Sequence, residues 1–248
     1  MSKIIGIVGG MGTYASIDLL KKIADNTGAV TDQEHLPVAM LSLPSKISDR
    51  SEYFFGEVEE NPGYVIAEIV KDLNKLGACI FGIPCNTAHV PKILQPVNEV
   101  IKDGCTLVNM INAVAEYISQ GYPDVKNVGI IGTNGIFKSR VYDNYLSAKG
   151  LKPLYPDEDV QYHMVHPAIY DKEYGIKSMS KPVSQRARVD LLSVIRLLTS
   201  EGAQAIVLGC SEIPLAITEK AIEFIPLIDS NNVLAKAIVR EARERDEL

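Results

Sequence analysis

The chain has 248 residues, 46% of them hydrophobic, and its 25 Lys and Arg against 31 Asp and Glu leave a net charge of −6. That length and apolar content suffice for one large domain or two smaller ones with a sizeable core. An acidic chain, with a pI near 5.3 and no basic run, is a poor partner for nucleic acid or a membrane surface. No apolar stretch approaches the roughly 18 residues of a membrane span and no signal-peptide h-region opens the chain, so a cytoplasmic protein is expected.

Lys3–Val8 is a short apolar run that reads as a strand, broken by Gly9-Gly10-Met11-Gly12. Ile17, Leu20, Ile23 and Ala24 then recur at helical spacing. Pro37–Leu43 reads as a second strand, and Pro44–Gly63 as a long polar loop that carries Asp49-Arg50; long loops in compact domains are often functional. A helix is predicted over Pro62–Leu76, with Val65, Ile66, Ile69, Val70, Leu73 and Leu76 on one stripe. Pro62 sits near its start and Gly77 just past its end, as helix termini prefer. Ala78–Ile83 is a third strand, and Cys105 opens another apolar run. Val125–Ile131, Gln161–Val165, Ala203–Leu208 and Phe224–Ile228 are further strand candidates, with helices between them. Short apolar strands alternating with helices predict an α/β fold of parallel sheets covered on both faces. Ligands bind such sheets beyond the carboxyl ends of the strands.

The pattern repeats. Gly6-Ile7-Val8-Gly9 matches Gly129-Ile130-Ile131-Gly132, Cys85 matches Cys210, and the segment from Leu107 to Val114 matches that from Leu227 to Leu234. The three offsets agree at about 120–125 residues, which predicts a duplicated half and a pseudo-two-fold axis, with equivalent loops facing each other across a cleft.

The chemistry concentrates in two loops. Pro84-Cys85-Asn86-Thr87-Ala88-His89 and Gly209-Cys210-Ser211-Glu212-Ile213-Pro214 each place a cysteine where an apolar strand gives way to a loop. No pair of the four cysteines has zinc or redox spacing. Cys79 and Cys105, within apolar runs, read as packing residues. A reactive cysteine needs its thiolate, which a helix N-terminus favours. Asn86, Thr87 and Ser211 are capping types, and the exposed N–H groups of such a turn also hold a carboxylate. Two buried cysteines followed by ordinary caps is the plainer reading; the paired occurrence favours catalysis. Two thiols that address one carbon from opposite sides can remove a proton from one face and return it on the other, with no cofactor.

Gly9-Gly10-Met11-Gly12-Thr13 has neither G-x-G-x-x-G spacing nor the Lys-Ser/Thr ending of a P-loop, and reads as a tight turn that lets substrate approach the backbone. Arg50 can fork a carboxylate with two parallel hydrogen bonds, and Lys177 is a second candidate cation. His89 reads as a structural histidine, and His163 and His166 show no metal spacing. No metal is expected.

At these residues the chain resembles the aspartate/glutamate racemase family, most closely its aspartate branch, over nearly its whole length. The marks are Gly9-Gly10-Met11-Gly12, Asp49-Arg50, the Cys85 segment, Ile131-Gly132-Thr133, Ile169-Tyr170 with Gly175-Ile176-Lys177, and Leu208 through Pro214. The resemblance implies two pseudo-symmetric α/β halves with an active-site cleft between them, cofactor-independent two-base racemisation of an acidic amino acid, and a homodimer. It makes Cys85 and Cys210 the catalytic bases, and Met11, Arg50, Asn86, Thr87, Thr133, Lys177 and Ser211 the substrate contacts. It also implies that the last strand and helix return to the first half. Residues 1–104 with about 218–248 would then form the N-terminal half and residues 105–217 the C-terminal half.

Three positions depart from the family pattern: Thr13 where Pro is common, Ser211 where Thr is common, and Ile136 where Thr is common. Glutamate racemases would show Asp-Ser-Gly before the glycine loop and Thr-His after the second cysteine. Here Ile7-Val8 and Ser211-Glu212 stand there, which points to aspartate ahead of glutamate. A one-cysteine isomerase or decarboxylase of a dicarboxylic acid, and a non-catalytic protein that binds an acidic metabolite, are the alternative readings.

Overall fold

Six residues whose side chains carry no polar atom, Ile-Ile-Gly-Ile-Val-Gly, form strand β1 (Ile4–Gly9), whose only route to stability is burial beside other strands. The computed structural model, which describes residues 3–246 and side chains as far as 244, places it inside a parallel sheet. The chain divides into two units, Met1–Ala113 with Asn231–Leu248, and Val114–Ser230.

In the first unit β1 lies between β2 (Val38–Ser42) and β3 (Ala78–Gly82), with β4 (Thr106–Leu107) beyond β3. The helices met along this part of the chain are α1 (Thr13–Thr27), α2 (Arg50–Phe55), α3 (Pro62–Lys75) and α4 (Pro91–Asn98); α5 (Met110–Gly121) contains the point where the first unit gives way to the second. Glycine is required where β1 ends. Gly10 has φ +102°, and the backbone of Leu43 and Pro44 lies within about 3 Å of the place a Cβ would take.

The second unit repeats the plan. Its strands are β5 (Asn127–Ile131), β6 (Lys152–Leu154), β7 (Ala205–Leu208), β8 (Ala221–Ile222) and β9 (Ile225–Asp229), in the order β6-β5-β7-β9-β8. All pairings are parallel except that of the short β8 with β9. Without β8 this is the strand order of the first sheet, with β5, β6, β7 and β9 taking the places of β1, β2, β3 and β4. Helices α6 (Asn134–Ser139), α7 (Val141–Ser147), α8 (Glu158–Val160), α9 (His166–Tyr170), α10 (Gln185–Ser200) and α11 (Ile213–Ala216) belong here. Ile169, Ile176, Leu191, Ile195, Ile206 and Leu208 are buried together in its core. The last helix, α12 (Ser230–Asp246), returns to the first unit. There Leu234, Ala235, Ile238 and Val239 pack with Ile5, Ile7, Leu19 and Ile80.

Several sequence expectations need correction. The units divide at 113/114 and 230/231 rather than at 104/105 and 217/218. Leu107 pairs with Phe81, which holds β4 in the first sheet, and Ile228 pairs with Val207, which keeps the last long strand in the second; only the helix returns. Gln161–Val165 is a π-helical turn, not a strand. Asp157 starts helical structure upstream, its Oδ1 accepting the Val160 N–H at 2.8 Å. The Pro44–Gly63 loop contains α2, and Asp49 caps it by accepting from Ser51 and Glu52 N–H at 2.7 and 3.1 Å. On α1 the buried face is Ala15, Ser16, Leu19, Ile23 and Thr27, while Ile17 is 50% exposed. Cys79 is half-buried, its thiol donating to the Gly104 carbonyl at 3.2 Å.

Candidate functional site

Each unit presents chemistry at the carboxyl ends of its two central strands, where open α/β sheets bind ligands. In the first unit, Gly10 N–H donates to Ser16 Oγ at 3.3 Å, and the Ser16 hydroxyl donates to the Gly12 carbonyl at 2.9 Å. The glycine turn is thereby tied to the first turn of α1, and Met11 within it is buried. Arg50 opens α2 and is 7% exposed. Its Nη1 donates to the Ser48 carbonyl at 3.2 Å, and its Nη2 lies 3.9 Å from Asp49 Oδ2. Helix α2 packs against the turn that follows Cys85, so Arg50 and Cys85 are held on neighbouring elements.

Cys85 is buried and closes a tight turn in which its own N–H donates to the Ile83 carbonyl at 2.8 Å. Asn86 and Thr87 are buried with it. The expectation of a capped helix here is not met. Asn86 is itself helical, makes no side-chain cap, and leads into a single 3₁₀ turn, Thr87–His89. The His89 ring is the loop's anchor: Nδ1 lies 2.9 Å from the Cys85 carbonyl, and Nε2 accepts the Met110 N–H at 3.2 Å. Burial, which outweighs the hydrogen bonds to Cys85 and Val108, pulls its pKa down from 6.5 to about 4.

A stability prediction follows. A depressed histidine pKa leaves the ring neutral in the fold while the unfolded chain gains a proton below 6.5, so the stabilisation is present above 6.5 and is lost as pH falls toward 4. Between about pH 7 and pH 5 this group accounts for a loss of about 2 kcal/mol. Urea melts at the two pH values should show that loss reduced in His89→Gln; an equal loss in both proteins contradicts it.

In the second unit, Thr133 ends the loop after β5 and caps α6, its Oγ1 accepting the Ile136 N–H at 3.4 Å. Ile136 is fully buried and packs on Gly132, so its side chain serves the core. The buried Gln161 amide donates to the Gly132 carbonyl at 3.1 Å and to Asn134 Oδ1 at 2.9 Å, which fixes this loop.

Cys210 ends the loop after β7, beside Ser211, and both are buried. Its thiol donates to Glu212 Oε2 at 2.9 Å. Lys177 Nζ donates to Glu212 Oε1 at 2.7 Å and stands 5.1 Å from the centroid of the Tyr170 ring, which stacks on His166. Burial pushes the Cys210 thiol well above its ordinary pKa, the Glu212 carboxylate pushes it further, and Lys177 opposes both. This corrects the expectation of a depressed thiol: only a four-residue helix, α11, follows, and Glu212 at its start makes no side-chain cap. Fully buried Tyr142 is held protonated, by burial first and by Cys210 second.

The structure thus groups Met11, Arg50, Cys85, Asn86 and Thr87 at one sheet end, and Thr133, Lys177, Cys210 and Ser211 at the equivalent end of the other. Sequence reasoning did not give Glu212 a role; an acid two residues after a strand-end cysteine was the available signal. Among the described residues, no three His, Cys, Asp or Glu side chains stand together where they would hold a metal ion.

Three comparisons bear on this geometry. A family model described as Asp/Glu/hydantoin racemase matches residues 8–238. The broad specificity amino-acid racemase of Bacillus subtilis is 26% identical over 240 residues, spanning 95% of this chain and 96% of its own. The aspartate racemase of Picrophilus torridus superimposes with a TM-score of 0.77 at 28% identity, over 97% of this chain and 94% of that one. The glutamate racemase of Francisella tularensis, solved in complex with D-glutamate, shares the fold with a TM-score of 0.68 at 16% identity, over 100% of this chain and 83% of its own.

Proposed function

The chain belongs to the Asp/Glu/hydantoin racemase family, and from that premise we propose that it racemises an acidic amino acid, aspartate ahead of glutamate, with Cys85 and Cys210 as the two proton-transfer groups and no cofactor. The observation that carries this reading is the matched placement of the two thiols. Each is buried, and each follows the third strand of the same four-strand order. One cysteine, as thiolate, removes the Cα proton; the other, as thiol, donates a proton to the opposite face. Charge that builds on the substrate carboxylate is stabilised by Arg50 and by the amides and hydroxyls of Asn86, Thr87, Thr133 and Ser211, with Met11 packing against the substrate. Lys177 acts in the same site from its ion pair with Glu212. The working form is a homodimer, a reading that rests on the family resemblance. Among the described residues no helix is long and apolar enough to cross a membrane.

A broader substrate range is the second reading, favoured by the likeness to a broad specificity racemase and by Ile136, which offers no hydroxyl to a substrate. Both are tested together. Purified protein in deuterated water, without pyridoxal phosphate, should exchange the Cα hydrogen of L-aspartate and form D-aspartate. Exchange of many amino acids at similar rates supports the broad reading, and no exchange with any of them sinks both.

A further inference from the structure

The two cysteine loops share a place in the strand order but differ in charge. Two residues after Cys85 stands Thr87; two residues after Cys210 stands Glu212. The Glu212 residue is only 4% exposed, and a carboxylate so buried is costly unless it is paired. Lys177 supplies the pairing at one oxygen, and the Cys210 thiol donates to the other. The groups that face Cys210 are Glu212 from its own loop, Lys177 from the segment after α9, and Tyr142 from α7. Tyr170 and His166 stand behind Lys177. In this arrangement the proton on sulfur is held by a hydrogen bond to an ionised carboxylate, the stronger kind, and a thiolate would face that negative charge directly.

We propose that Glu212 is a positioning residue that holds Cys210 as the proton donor of the unliganded enzyme, so that Cys85 makes the first proton abstraction. The inference rests on the racemase reading above. In that first half-cycle the Cα–H bond breaks and an S–H bond forms on Cys85, with the electron pair passing to Cα and its carboxylate. The Cys210 S–H bond then breaks, its proton bonds to the opposite face of Cα, and its electron pair stays on sulfur. The enzyme is left with a Cys85 thiol and a Cys210 thiolate beside Glu212, the disfavoured form. Loss of a proton from Cys85 to water and gain of one by Cys210 restore the resting form. One enantiomer binds the resting form and the other the disfavoured one, so the two have unequal KM. Because racemisation has an equilibrium constant of unity, kcat/KM stays equal in the two directions, and kcat is unequal in step with KM.

The test reads the thiol directly. Alkylation of Cys210 by iodoacetamide, followed by peptide mass spectrometry, is measured from neutral to alkaline pH on substrate-free full-length protein. Removing the negative neighbour lowers a thiol pKa and removing the positive one raises it. Glu212→Gln should therefore lower the Cys210 midpoint by about one pH unit, a tenfold gain in thiolate fraction below it. Lys177→Met should raise the midpoint, and Glu212→Asp, which keeps the charge, should hold it high. A loosened fold would lower all three midpoints. An unmoved midpoint in Glu212→Gln, or a lowered one in Lys177→Met, overturns the inference. The KM values for D- and L-aspartate should also converge in Glu212→Gln; KM values still as far apart as in the parent overturn it equally. The titration uses no substrate, so it is separable from the racemase test. Failed exchange with shifted midpoints removes the racemase reading, and exchange with unmoved midpoints removes only the role of Glu212.

Discussion

Cys85→Ala and Cys210→Ala should each lower the racemisation rate by about 10²–10⁴-fold, the usual worth of a positioned acid or base. On the proposed two-base reading each variant keeps one thiol, which would still address one face of the substrate carbon. The expected signature is therefore more specific than loss of activity. In deuterated water each variant should exchange the Cα hydrogen of one enantiomer only, and the two variants should choose opposite enantiomers. A one-cysteine isomerase or decarboxylase gives a different result, in which one substitution is silent. Both side chains are small and lie in loops, so circular dichroism spectra should match the parent. Racemisation that survives either substitution within about tenfold excludes the two-base mechanism.

The cysteine loops were legible because a strand buried on both faces must be apolar along its length, so its end shows wherever Gly, Pro or a polar residue interrupts the run. The duplication was legible for the same reason, through the glycine and cysteine loops that end the central strands. Sheet membership was not. Whether Leu107 pairs with Phe81 and Ile228 with Val207 is decided by contacts far apart in sequence, which periodicity does not report. Gln161–Val165 was ambiguous as a short mixed run, and a cap four residues upstream at Asp157 settles it. The cap on α2 was readable, since Asp49 and Glu52 have capping-box spacing, but the surrounding polar residues hid it. The charge state of Cys210 was beyond sequence reading, because Lys177 reaches Glu212 across 35 residues and burial depends on the whole fold.

Gly63→Ala should cost about 3 kcal/mol, the upper end of ordinary overpacking. Gly63 stands in the first turn of α3, and a Cβ there would overlap the Ile93 carbonyl oxygen of α4 and come within 3.0 Å of Asn61 Oδ1. The obstacle is backbone, so no rotamer change relieves it. The same Asn61 side chain caps α3 through Gly63 N–H at 2.9 Å and donates to the Lys92 carbonyl at 2.9 Å, so a displaced Asn61 loosens both helices. Gly121, at the end of α5, has nothing within 4 Å of its would-be Cβ. Gly121→Ala should be neutral or stabilising by up to about 1 kcal/mol. Urea denaturation of the two variants reads the contrast, and a Gly63→Ala protein as stable as the parent contradicts the close approach of α3 and α4. Activity should fall with stability, because α4 continues from the Cys85 turn.

The return of α12 sets an order on the birth of the molecule. Its Ile238 fills the space over Gly82 that a side chain would occupy, and with Leu234, Ala235 and Val239 it covers Ile5, Ile7 and Ile80. On the ribosome, β1 to β4 are made before the second unit, yet the helix that covers them is made after it. The second unit, continuous from Val114 to Ser230, has its full complement of strands while the first still shows water an apolar sheet face. For the length of that synthesis the β1–β4 segment lies open to wrong partners, whether a neighbouring nascent chain or a chaperone. Translation rate through the second unit therefore governs how long the first waits for its cover.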